Sequence, residues 1–248
     1  MGIFEEGEVL FQKGLDFALK IKDLFSLGVL ELHHGWDFNF NGDAKTAIEH
    51  FENCIRYCEE RQIVMYVNVA WMGLGWAYWL MGELKTARKY MEKGLKIQID
   101  AGVPNYLGFW YGILGTVYLD SGDLIKAQHH GEEALKISQK NHEKAGEGLA
   151  WILLGRTLGK TDPPQDDKAE ECILRGINIY EELKIRTHYA PGYYYLGELY
   201  ADTGQKDNAL ETLKTAESLT AYLKKRLLIN GRPGGKKMEI SRWLLKKG

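Results

Sequence analysis

The chain has 248 residues, 45% of them hydrophobic and 12% aromatic, with 28 glycines but only 5 prolines. That apolar content excludes a disordered polypeptide, and a formal charge of −2 predicts no overall attraction to nucleic acid or an anionic membrane. No apolar run reaches the roughly 18 residues that a membrane-spanning helix requires, and three cysteines are too few for a disulfide scaffold.

Glu5, Glu6 and Glu8 stand where a secretory leader would be basic and then apolar, so no signal peptide is expected. A reducing, cytoplasmic setting follows from the sparse cysteines. Along the chain, apolar residues recur at three- and four-residue steps, the period of an amphipathic helix. This periodicity predicts helices over 4–21, 25–40, 44–61, 65–80, 84–101, 106–120, 124–140, 146–159, 167–184, 189–202 and 206–228.

The helical segments repeat. Leu74-Gly75 returns as Leu114-Gly115, Leu154-Gly155 and Leu196-Gly197, at spacings of 40, 40 and 42. Three residues before each leucine stands an aromatic: Trp71, Tyr111, Trp151 and Tyr193. A turn glycine recurs at Gly42, Gly82, Gly122 and Gly204, and one period before Gly42 lies Gly2. Small residues then form two columns, Ala47, Ala87, Ala127, Ala169, Ala209 and Cys54, Gly94, Ala134, Gly176, Ala216. Mid-helix glycine loses roughly 1 kcal/mol of helix propensity relative to alanine, and is tolerated where two helix backbones approach closely. One helix pair cannot bury its own apolar face, so such units stack.

These columns resemble the tetratricopeptide repeat, whose signature is Trp, Leu-Gly and Tyr on one helix, then Ala, Phe and Ala on the next. The period of about 40 exceeds the usual 34 and the terminating proline is missing, a pattern similar to the long repeats of bacterial multidomain regulators and signalling ATPases and cyclases. The resemblance implies an all-α, right-handed α-α superhelix of about five helix-turn-helix units. The expected solenoid covers 1–223, with a half repeat at 2–21 and units at 25–61, 65–101, 106–140, 146–184 and 189–223. The half repeat suggests a piece of a longer protein. Residues 224–248 carry a charge of +8 against −10 on the rest, and read as a basic tail or capping helix.

Sites of chemistry are harder to find. Gly155-Arg-Thr-Leu-Gly-Lys-Thr161 is one residue short of a phosphate-binding loop and lacks a preceding strand. His50, Cys54 and Cys58 share one helix face, yet match no zinc spacing, and Cys54 sits in a small-residue packing column. No catalytic triad, zinc helix or calcium loop is present. We therefore expect no enzyme activity, cofactor or metal.

The resemblance places first helices on the concave side of the stack. Their exposed side is then expected to hold Trp36, Asn39, Met72, Trp76, Trp79, Thr116, Arg156, Tyr194 and Glu198, together with Asp120, Lys160 and Asp202. Chaperone-binding members hold a terminal carboxylate with Lys and Asn, but those columns here carry Leu32, Met72, Gly112 and Trp36, Trp76, Thr116. The expected role is a protein-interaction scaffold that takes a protein or peptide segment in the groove, within a larger signalling or regulatory protein. The alternatives are a small-ligand sensor, with indoles stacking on a sugar, and self-association through the exposed terminal repeat.

Overall fold

A computed structural model describes residues 3–228. All elements among the described residues are α-helices: α1 (Ile3–Ile21), α2 (Leu24–Phe40), α3 (Ala44–Glu60), α4 (Val64–Leu80), α5 (Leu84–Asp100), α6 (Leu107–Asp120), α7 (Leu124–Lys140), α8 (Lys144–Leu158), α9 (Asp166–Glu182), α10 (Arg186–Asp202) and α11 (Lys206–Leu228). The basic tail beyond residue 228 and the turn glycine at position 2 lie outside the described residues.

Helix ends follow local chemistry. Asp23, Asp43 and Asp123 accept from the backbone N–H groups of Phe25, Thr46 and Lys126, satisfying donors that α2, α3 and α7 leave open at their N-termini. Helix α10 begins three residues earlier than periodicity predicts, and Pro191 lies inside it. Pro191 is the sixth residue of the helix, past the four whose N–H groups lack an intrahelical acceptor, so α10 gives up one backbone hydrogen bond to the Thr187 carbonyl there.

Turns alternate in character. Within units the chain reverses at Gly42, Gly82, Gly122 and Gly204, all with φ between 77° and 82°. Between units the left-handed residue is Lys22, Gln62, Gly102, His142 or Lys184, a series spaced by 40, 40, 40 and 42 residues. The second series keeps the period while four of its five members are not glycine. Those residues accept a backbone state that L side chains seldom adopt.

Each helix packs on its neighbours in sequence, and first helices also meet one another, α2 with α4, α6 with α8 and α8 with α10. The stack therefore closes on the side of the first helices. The small columns are the points of closest approach. A Cβ on Gly94 would lie 2.7 Å from the Asn68 backbone oxygen, and one on Gly176 would lie 2.5 Å from that of Gly148. Gly155 serves the same purpose inside α8, where a Cβ would stand 2.6 Å from the Ala169 oxygen. It is a packing glycine, with no loop around it to cradle a phosphate.

The signature aromatics pack differently from a simple core. Trp71 and Trp151 are half-buried, each capped by a cation from the second helix of its unit: Lys93 at 3.5 Å and Arg175 at 4.1 Å. Full burial belongs to Phe51, Leu74, Met91, Leu114, Leu153 and Ile173 instead.

Burial also sets a pH response. His34, His130 and His188 are each pushed below the ordinary value of 6.5 by desolvation. The folded chain keeps them neutral where the unfolded chain protonates, so stability present above 6.5 is lost as pH falls through it. Asp37 and Glu198, raised by burial, act in the opposite sense nearer the carboxylate range. The thermal midpoint is expected to be lower at about pH 5.5 than at about pH 7.5. A midpoint that is equal or higher at the acid end contradicts this.

Candidate functional site

Aromatic residues near the C-terminal ends of α2 and α4 meet as one layer, joined by Trp110 from the first turn of α6. The Trp36 ring lies 5.7 Å from Trp76 edge to face, and 5.7 Å from Trp110 in a stacked arrangement. Trp76 contacts Trp79 at 5.7 Å, and Phe40 contacts both Trp36 and Trp76. Trp36, Trp76 and Trp79 are half-buried, Trp110 is buried beneath them, and Phe40 is 57% exposed. Offset and edge-to-face pairs of this kind hold rings rigidly while leaving area free for contact.

A polar relay continues the layer across three more helices. The Trp79 indole N–H donates to Asp120 on α6 at 2.9 Å, and Arg156 on α8 donates to the other carboxylate oxygen at 2.8 Å. The Arg156 guanidinium also lies 3.8 Å from the centre of the Tyr195 ring on α10. Burial works against the charge of Arg156, but Tyr195 and Asp120 outweigh it and hold its pKa above the ordinary value. Burial raises the Glu198 carboxyl above its usual range, against the pull of a Tyr194 hydrogen bond and of Arg156. Trp79, Asp120, Arg156 and Tyr195 thus bind α4, α6, α8 and α10 into one face, an ordered surface with no loose ends.

Six of the nine groove residues expected from sequence, namely Trp36, Trp76, Trp79, Arg156, Tyr194 and Glu198, retain partial exposure. Three do not. Asn39 is 3% exposed and donates to the Gly73 carbonyl at 2.9 Å, tying α2 to α4. Met72 is fully buried, beside the point where the Gly94 backbone meets α4. Thr116 shares the column of Trp36 and Arg156, but its short side chain turns back to the Gly112 carbonyl at 3.0 Å. A column fixes direction, whereas reach depends on side-chain length.

Sequence reasoning overlooked Phe40 and Tyr195. Phe40 stands one period before Leu80, at the final residue of its first helix, in a column continued by Asp120, Lys160 and Asp202. That recurrence was a usable signal. Tyr195 had none, because it differs from Tyr194 only by a rotation about the helix.

Elsewhere, His50 meets Glu31 at 2.5 Å, and the buried Cys54 and Cys58 thiols lie 3.9 Å apart. Among the described residues, no three His, Cys, Asp or Glu side chains converge as metal ligands. Also among them, no helix is long and apolar enough to cross a membrane.

Comparison with known proteins adds two matched repeat stretches and a fold. The tetratricopeptide repeat model matches residues 69–98 and 190–222. No curated protein matches the chain. Among solved structures, BtubC (BKLC) from P. vanneervenii is 16% identical with a TM-score of 0.65, over 96% of this chain and 97% of its own. A Rap protein complexed with competence and sporulation factor is 17% identical with a TM-score of 0.68, over 82% of this chain and 58% of its own. A signal transduction ATPase with numerous domains from Pyrococcus horikoshii, carrying a tetratricopeptide repeat sensor, is 16% identical with a TM-score of 0.61, over 98% and 40%. At such identities the likeness is one of fold. Repeat columns, helix pairing and the two matched stretches together identify tetratricopeptide repeats at 69–98 and 190–222, within a chain folded as an all-helical solenoid.

Proposed function

We propose that the chain is a non-catalytic scaffold that receives a segment of a partner protein along the face of its first helices. The observation that carries this reading is the aromatic layer of Trp36, Phe40, Trp76 and Trp79, part-exposed and continuous with the Asp120–Arg156–Tyr195 relay. Rigid aromatics give large contact area with little entropy left to lose, and arginine and tryptophan dominate binding hot spots. The matched partner segment carries apolar anchors for the N-terminal half of this face and polar groups for Glu198 and Lys160. The Rap protein in complex with competence and sporulation factor has a comparable fold, which supports a regulatory binding role. We place the scaffold in the cytoplasm, within a larger signalling or regulatory protein.

Peptides selected from a random display library provide the test. Trp76→Ala is expected to weaken the selected peptides by tenfold or more, about 1.4 kcal/mol or above, with helix content unchanged. Trp151→Ala, on the far side of its helix against Arg175, is expected to leave binding within about twofold. Equal loss from both variants, or from neither, contradicts the proposal.

A further inference from the structure

The face of the first helices changes character along the stack. At α2 and α4 it is aromatic and apolar: Trp36, Trp76 and Trp79 are half-buried, while Phe40 and Leu80 are exposed by 57% and 37%. At α8 and α10 it is polar. Asp120 and Arg156 satisfy one another, and beyond them Glu198 and Asp202 outnumber Lys160. An occupant of the whole face therefore needs basic groups at the α10 end and apolar ones at the α4 end.

The sequence after Leu228 offers those groups in that order. Lys236 and Lys237 come first, and Trp243, Leu244 and Leu245 follow, with Lys246 and Lys247 beyond. Residues 229–248 hold six cations and one carboxylate, whereas residues 1–228 carry a net charge of −7. Opposite net charges draw the two together. Length permits the reach. Helix α11 pairs with α10 and, at 23 residues against 17, runs past its start, so Leu228 stands at the α10 end of the face. Three helix spacings of about 10 Å separate α10 from α4. The residues from 229 to 242 span up to about 45 Å when extended, enough to cross that distance on a diagonal.

We propose that residues 236–245 occupy the first-helix face of their own chain, with Lys236 and Lys237 against Glu198 and Asp202, and Trp243 against Trp76. The assignment rests on the reading of this face as a binding surface, and it names what fills the face when no partner is bound. A partner segment then has to displace the chain's own. Tethering favours this occupant over a foreign one, since a short linker holds it at a local concentration of about millimolar whatever the dilution.

The test uses the whole chain labelled with fluorotryptophan and no added ligand. Leu244→Asp combined with Leu245→Asp is expected to move the Trp36, Trp76 and Trp79 resonances and leave Trp71 and Trp151 in place, with helix content unchanged by circular dichroism. In the reverse direction, Trp76→Ala is expected to move the Trp243 resonance, and Trp151→Ala is not. Both responses are expected to persist over a hundredfold dilution. An aromatic layer indifferent to the tail substitutions overturns the proposal, as does a Trp243 resonance indifferent to Trp76. A response that fades on dilution assigns the segment to a second copy and overturns it as well. With the face filled nine-tenths of the time, a display-selected peptide is expected to bind the tail variant about tenfold more tightly than the natural chain. Equal affinity contradicts self-occupancy. Resonances that respond as stated while no peptide binds either chain leave the tail contact standing and remove only the partner reading.

Discussion

Replacing Phe51 by alanine is expected to lower stability by about 3–5 kcal/mol, the range for deleting a buried aromatic ring. Phe51 is fully buried, and its ring occupies space that two glycines leave open on neighbouring helices. A Cβ on Gly35 of α2 would lie 2.9 Å from the ring, and one on Gly73 of α4 would lie 2.3 Å from it. One side chain on α3 therefore sets the separation of three helices. Neither glycine has atoms with which to fill the cavity that Phe51→Ala leaves, so little relaxation offsets the loss. The Trp36 ring meets Phe51 edge on at 5.5 Å, which links this core position to the proposed binding face. Urea unfolding followed by circular dichroism measures the change, and tryptophan emission is expected to shift in the folded state. A loss below about 1 kcal/mol, typical of surface substitutions rather than cores, contradicts this packing.

The second large effect is expected at Asp120. Its carboxylate accepts from Trp79 and Arg156 together, while the Arg156 side chain is only 10% exposed. Asp120→Ala strands that guanidinium between Tyr195 and Glu198. Leaving a buried charge without its partner costs about 3 kcal/mol, far above the value of a surface pair. Removing both groups, as in Asp120→Ala with Arg156→Leu, is expected to recover a substantial part of the loss. A single-variant cost under about 1 kcal/mol, or a double variant no better than the single, shows that the relay is surface decoration.

The fold was legible because its determinants recur. Leu-Gly pairs, small-residue columns and turn glycines at a 40-residue spacing specify helices, reversals and close contacts at once, and no single unit had to be decoded alone. The left-handed turns at Lys22, Gln62, His142 and Lys184 escaped notice for the converse reason. Their conformation is imposed by the packing of the flanking helices, and the residue types give no hint of it. At the proposed site, the repeat named a helix face but could not resolve depth. Asn39 points between α2 and α4, where the Gly73 carbonyl is within reach, while Trp79, one period later, extends beyond the helix to Asp120. Equivalent positions diverge because side-chain length decides which neighbour is met. The relay itself depends on three residues spaced by about a period and contributed by different helices, and nothing in a linear sequence states that Asp120 accepts from both sides.

The chain contains seven tryptophans, and they offer a direct reading of where a partner sits. Incorporating fluorotryptophan and titrating a display-selected peptide gives one fluorine resonance per indole, assigned by single Trp→Phe substitutions. Trp36, Trp76 and Trp79 are expected to shift on binding, while Trp71 and Trp151, turned toward Lys93 and Arg175, are expected to stay in place. Movement confined to Trp71 and Trp151 would put the partner on the side of the second helices and contradict the first-helix face as the binding surface.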